Sequence, residues 1–127
     1  MYYALNLTKE TQNKLWKVFY TFFDQLNNDW VTYMDHITLI HSSHPAWEVT
    51  SRILHNFEGH KCEFYLTSVG ISEVAIAFGV DIDTANQHSH ITIAMKGGHF
   101  PVEANEIAQW DRLYCDETFE GYLTLNP

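Results

Sequence analysis

Two stretches of this 127-residue chain share one pattern, His36-Ile37-Thr38-Leu39 and His90-Ile91-Thr92-Ile93. Each lies in a run that alternates as a β-strand does, where residues i and i+2 share a face. Each strand therefore presents an imidazole beside a hydroxyl, and the apolar residues between them face the core. If the two strands lie side by side, or face each other across a pseudo-twofold, both histidines and both threonines converge on one cleft. Two imidazoles serve as general base and general acid in one turnover, each worth roughly 10²–10⁴-fold. The hydroxyls at fixed offsets donate to non-bridging phosphate oxygens and stabilise charge in the transition state. That set fits in-line attack on a phosphodiester with no metal: one histidine activates the nucleophile, the other protonates the leaving oxygen. A single His-x-Thr on a strand is ordinarily a half-exposed histidine on a sheet face. The repeat is what carries weight.

The elements that must hold these strands are readable from periodicity. Residues 8 to 27 have a helical apolar stripe of Leu15, Val18, Phe19, Phe22 and Leu26, with Thr8 as N-cap and Asn27-Asn28-Asp29 as the stop. Trp16, Tyr20 and Phe23 widen that face. A strand follows over Met34–Ile40, with Ile37 and Leu39 on one side and His36, Thr38 and Ile40 on the other. A helix from Pro45 to about Glu58 carries Val49, Ile53, Leu54 and Phe57 as its apolar side, and Gly59 ends it. Strands are expected within Lys61–Val80, broken at Gly70-Ile71-Ser72, and over His90–Met95, with Ile91, Ile93 and Met95 on one face. A short helix around Val102–Trp110 and a strand around Phe119–Leu125 complete the chain. The mixture predicts an α+β fold, with helices flanking mostly antiparallel sheets.

Composition sets the limits. The length predicts one domain over residues 1–127, and 46% apolar residues can fill its core. Seven basic against sixteen acidic side chains give a net charge of −9, which argues against duplex DNA, long RNA or an anionic membrane as partner. A small substrate in a local pocket is compatible with that charge. No apolar run is long enough to span a bilayer, and the first residues do not read as a secretory signal. Cys62 and Cys115 have no CxxC spacing and read as reduced thiols. Together these predict a cytoplasmic protein, in the host cytoplasm if it is viral.

The paired motifs resemble the 2H phosphoesterases, a superfamily named for two H-x-[ST]-x motifs. It includes bacterial 2′,3′-cyclic phosphodiesterases of the LigT type, the cyclic phosphodiesterase domains of fungal tRNA ligases, and phage nucleases that degrade cyclic oligonucleotide signals. His36, Thr38, His90 and Thr92 match the motifs residue by residue. Val74–Val80, a polar loop and then Ser89–Ala94 look like the strand pair that carries the second motif. Gly97-Gly98 and Pro101-Val102-Glu103-Ala104-Asn105 are similar to a segment of the RNA-repair members. The resemblance covers roughly residues 35 to 110. The spacing between motifs is short for the LigT branch, and an aromatic helix precedes the first motif. The resemblance implies a bilobal, pseudo-symmetric α+β fold with the two motif strands at its centre, and no cofactor.

Other sites are weaker. His88-x-His90 and His41-x-x-His44 invite a metal, but no third ligand and carboxylate complete a hydrolase set, so no metal site is expected. Asp81-x-Asp83 fails as a calcium loop. Among the aromatics, Tyr2, Tyr3, Trp47, Phe100, Trp110 and Tyr114 are candidates for stacking on a base. Phe100, in the Gly-Gly-His-Phe-Pro loop past the second motif, is the preferred one, and Lys96 at the strand end is a candidate phosphate contact. The expected activity is a phosphodiesterase acting on a small ribonucleotide. Small size and acidic charge favour a cyclic oligonucleotide signal, and the Pro-Val-Glu-Ala-Asn segment favours 2′,3′-cyclic phosphate ends. A module that binds a phosphate without cleaving it is the rival from another class.

Overall fold

The structure is a computed structural model describing residues 1–127. Its elements are β1 (Tyr2–Leu7), α1 (Lys9–Phe22), β2 (Trp30–Thr32), β3 (His36–His41), α2 (Trp47–His55), β4 (Lys61–Ile71), β5 (Ala75–Val80), β6 (His90–Lys96), a 3-10 helix (Pro101–Glu106), β7 (Trp110–Arg112) and β8 (Thr118–Asn126). The class is α+β. Instead of separate sheets, all eight strands join one sheet in which every pairing is antiparallel. The order β6-β3-β1-β8-β4-β5 closes on itself because β5 also pairs β6, so six strands form a ring. Closure removes free edges at the centre, where the motif strands lie. No helix is long and apolar enough to cross a membrane.

The ring interior is filled by inward residues of each strand: Leu5, Ile37, Phe64, Phe78, Ile91, Phe119 and Leu123 are all buried. Helix α1 adds Leu15 and Phe19, and its first turn is capped by Thr8 Oγ1, which accepts the Thr11 N–H at 3.2 Å. Phe19 meets Phe23 stacked and Phe78 edge-on. Burying side chains of this size contributes about 1.5–3 kcal/mol each. The helix ends at Phe22, short of the expected 27, because Phe23 turns extended (φ −131°, ψ 150°) and points its ring back onto Phe19. Phe22 is thereby exposed rather than on the stripe.

Three further expectations change. Strands β1 and β2 lie in segments where periodicity predicts no element, and β7 begins at Trp110, where a helix is expected to end. Helix α2 buries no residue fully; Trp47 and Leu54 pack on the core while Val49, Ile53 and Phe57 face outward. Tyr3 OH donates to Glu58, which ties the segment after this helix to β1.

The third change concerns the motif strands. In β3, Ala4 pairs Thr38 but Tyr3 pairs Ile40, so Leu39 is an extra residue. In β6, Ala77 pairs Thr92 but Ile76 pairs Ala94, so Ile93 is extra. Each is a one-residue β-bulge directly after the motif threonine, and a bulge inverts the facing of everything beyond it. Ile40 and Ala94 therefore join the core side, while His41 and Met95 join the side of the histidines and threonines.

Candidate active site

Strands β2 and β3 lie end to end along one edge of β6, Trp30 against Lys96 and Thr32 against Ala94, then Ile37 against Ile91. The chain bends between them at Met34, buried and left-handed (φ 66°), whose N–H donates to the Thr92 carbonyl at 2.8 Å. Such a φ costs a non-glycine residue energy, and here the surrounding sheet imposes it. The bend delivers β3 to β6 in a fixed register. Ile37 opposite Ile91 sets His36 across from Thr92 and Thr38 across from His90, with both isoleucines fully buried on the far face.

His36, Thr38, His90 and Thr92 line one cleft of about 720 Å³. Its fourteen lining residues include four of the eight histidines and no Asp, Glu, Lys or Arg, although the chain has sixteen carboxylates. The remaining walls are Tyr2 from β1; His41, Ser43, His44 and Pro45 from the end of β3 and the loop after it; Ala85 and Asn86; and Pro101, Val102 and Asn105 of the 3-10 helix. The Ala85 loop is pinned by its N–H to the carbonyl of the bulged Leu39 at 2.8 Å.

The two motif histidines differ in surroundings. His90 is 9% exposed, and its Nδ1 lies 2.8 Å from the His88 carbonyl oxygen. A carbonyl only accepts, so Nδ1 carries the proton and Nε2 is the free acceptor of the neutral ring. Burial pushes its pKa down from 6.5, opposed by that hydrogen bond and reinforced by positive charge on His88 or His36. The His88 ring stacks on Trp110 at 3.9 Å and 7°, and Trp110 in turn lies against Gly70, where a Cβ would come within 2.8 Å of the indole. His36 is more open, and its Nδ1 lies 2.8 Å from Asp35 Oδ1. The hydrogen bond from His36 holds the Asp35 carboxyl below its usual range, against the effect of its partial burial.

Phe100 is 70% exposed and outside the cleft; its N–H donates to Glu103 Oε2, which caps the 3-10 helix. Lys96 sits at the exposed end of β6, paired with Trp30, and also does not line the cleft. No group of three or more His, Cys, Asp or Glu side chains is arranged to hold a metal ion. Asn86 and Asn105 line the cleft without any motif that marks them, and His41 and His44, spaced as possible chelators, line it as well. Tyr2 stood among several aromatics with nothing to single it out. No protein-family model matches the chain, and no curated protein matches it.

Proposed function

We propose that the chain is a two-histidine phosphodiesterase of the 2H type, acting on a small ribonucleotide without a metal. The observation that carries this reading is the cleft itself: two imidazoles and two hydroxyls alternate across paired strands in a lining free of carboxylates. A pocket of that character suits an anion and supplies both proton-transfer groups. A pseudo-symmetric, bilobal 2H-like fold is supported by the ring. From the β3–β6 junction, β1 and β5 come next on either side, then β8 and β4, which pair each other, and both motifs end in a bulge.

His90 is the general base, because burial keeps it neutral with Nε2 free to accept. His36 is the general acid, its ring oriented by Asp35. The nucleophilic O–H gives its proton to His90 Nε2 as the new P–O bond forms. The bond to the leaving oxygen breaks, and that oxygen takes the proton from His36 Nε2. Thr38 and Thr92 donate to the non-bridging oxygens. Water exchange then returns His36 to its protonated and His90 to its neutral form.

The acidic chain with a compact cleft favours a cyclic oligonucleotide as substrate over a polymer that feels the whole surface. A second reading, opening of 2′,3′-cyclic phosphate ends, is favoured by Asn105, which brings the Pro-Val-Glu-Ala-Asn segment to the cleft wall. The test is incubation of the purified protein with cyclic di- and trinucleotides and with 2′,3′-cyclic mononucleotides in excess EDTA. Turnover of either class supports the reading and chooses the substrate. Binding with no turnover of any of them would leave a phosphate-binding module instead.

A further inference from the structure

We infer that His41 and His44, with Ser43, form a second phosphate subsite beside the reacting centre, so that the substrate carries at least two phosphodiesters. This rests on the phosphodiesterase reading and narrows it to substrates of two or more nucleotides, of which the cyclic oligonucleotide is the one the acidic chain favours. The bulge at Leu39 is the device. Without it His41 would share the facing of Ile37 and point into the core; with it, His41 follows Thr38 along the floor of the same cleft. Thr38 and His41 sit opposite Ala4 and Tyr2, only two residues apart because Leu39 is bulged, so the two lie about 7 Å apart along the strand at ~3.3 Å per residue, room for the unit that joins one phosphate to the next.

The rings are fixed as donors. His41 Nδ1 accepts the Ser43 N–H at 3.3 Å and lies 3.0 Å from Ser43 Oγ, and His44 Nδ1 accepts the Ala46 N–H at 3.0 Å. With Nδ1 occupied as acceptor, each neutral ring carries its proton on Nε2. Neither Nε2–H has a partner within the chain, and no carboxylate lines the cleft to take one. Two uncommitted N–H donors in a wall without negative charge match the oxygens of a phosphodiester. The Tyr2 ring joins this end to the reacting centre, stacked on His41 at 6.3 Å and 5° and tilted against His36 at 5.6 Å. A cleft of about 720 Å³ takes a ligand toward the upper end of the ordinary pocket range of about 300–1,000 Å³. A mononucleotide held at the motif residues leaves the His41–His44 end empty.

The experiment compares wild type with H41A/H44A on 3′,5′-linked cyclic diadenylate and on adenosine 2′,3′-cyclic phosphate. Both positions are exposed, so the fold tolerates the change, and a melting curve checks it. The expected result is a loss in kcat/KM on the cyclic diadenylate larger by roughly 10- to 100-fold than on the mononucleotide, mostly in KM. Equal losses on both substrates would overturn the subsite, as would a wild type that opens the mononucleotide and ignores the cyclic diadenylate; both leave the phosphodiesterase reading standing. If neither substrate is turned over, the phosphodiesterase reading fails by itself. Calorimetry with cyclic diadenylate then decides the subsite: weakening by tenfold or more in the variant supports it, and unchanged or absent binding overturns it.

Discussion

Strands β3 and β6 carry the same four-residue pattern, the same bulge after the threonine and the same inward isoleucine, yet their histidines stand in unlike surroundings. His90 is buried, backed by the His88–Trp110 stack and bonded to a carbonyl. His36 is half-buried and bonded to a carboxylate. Beyond the bulges the contrast continues. His41 emerges into the cleft, whereas its counterpart Met95 is buried beneath Ala104 and Ile107 around the 3-10 helix. On the proposed reading, repetition along the chain supplies two proton carriers, and the environment of each divides the labour between them.

The largest expected effect tests the pairing itself. His90→Ala and His36→Ala should each lower kcat by about 10²–10⁴-fold, with the double variant no worse than the poorer single one, because the pair acts as a unit. Steady-state rates on whichever nucleotide is cut give the numbers, and a near-normal His36→Ala enzyme would break the comparison. Thr38→Ala and Thr92→Ala should cost less, roughly 10–100-fold each, as loss of a hydrogen bond to a charged oxygen does. Unequal losses there would show that the phosphate leans on one strand.

Much of this comparison is legible in the sequence, and the illegible part has physical causes. The motifs, the strands that bear them and the Thr8 cap follow from residue type and spacing. The bulges do not: Leu39 and Ile93 are apolar at positions where regular alternation also places apolar residues, so nothing in the pattern marks the extra residue. Nothing in the pattern therefore turns His41 toward the face that His36 and Thr38 share. Strands of three residues such as β2 and β7 are too short for a period and exist because a neighbour's edge is there to pair. Phe100 is near the second motif in sequence, but the Glu103 carboxylate takes its N–H and the 3-10 turn that follows presents Asn105 to the cleft instead.

Two smaller effects sharpen the contrast. Asp35→Asn removes the charge that orients His36 but leaves an acceptor, so kcat should fall about tenfold, well below the loss of the histidine itself. A loss as large as that of His36→Ala would give Asp35 more than a positioning role. The pH profile is the gentlest probe. Because the His90 pKa is lowered, the base stays neutral in mild acid, and the acid limb of kcat/KM should have its midpoint below 6.5. The same shift weakens the fold there: below about 6.5 the unfolded chain takes up the proton first, so stability falls as pH drops toward the folded-state value. A limb at or above 6.5 that disappears in His90→Ala would contradict the role of burial.

The division of labour is tested most directly by the leaving group. A 4-nitrophenyl ester of a ribonucleoside 3′-phosphate expels a phenolate that needs no proton, so an enzyme lacking its general acid should still cleave it. The account predicts that His36→Ala retains a rate within about tenfold of wild type on this ester, while His90→Ala remains at least about 10²-fold slower, because the nucleophile still needs a base. Rescue of His90→Ala with none for His36→Ala would reverse the roles, and rescue of neither would contradict acid–base catalysis by the pair.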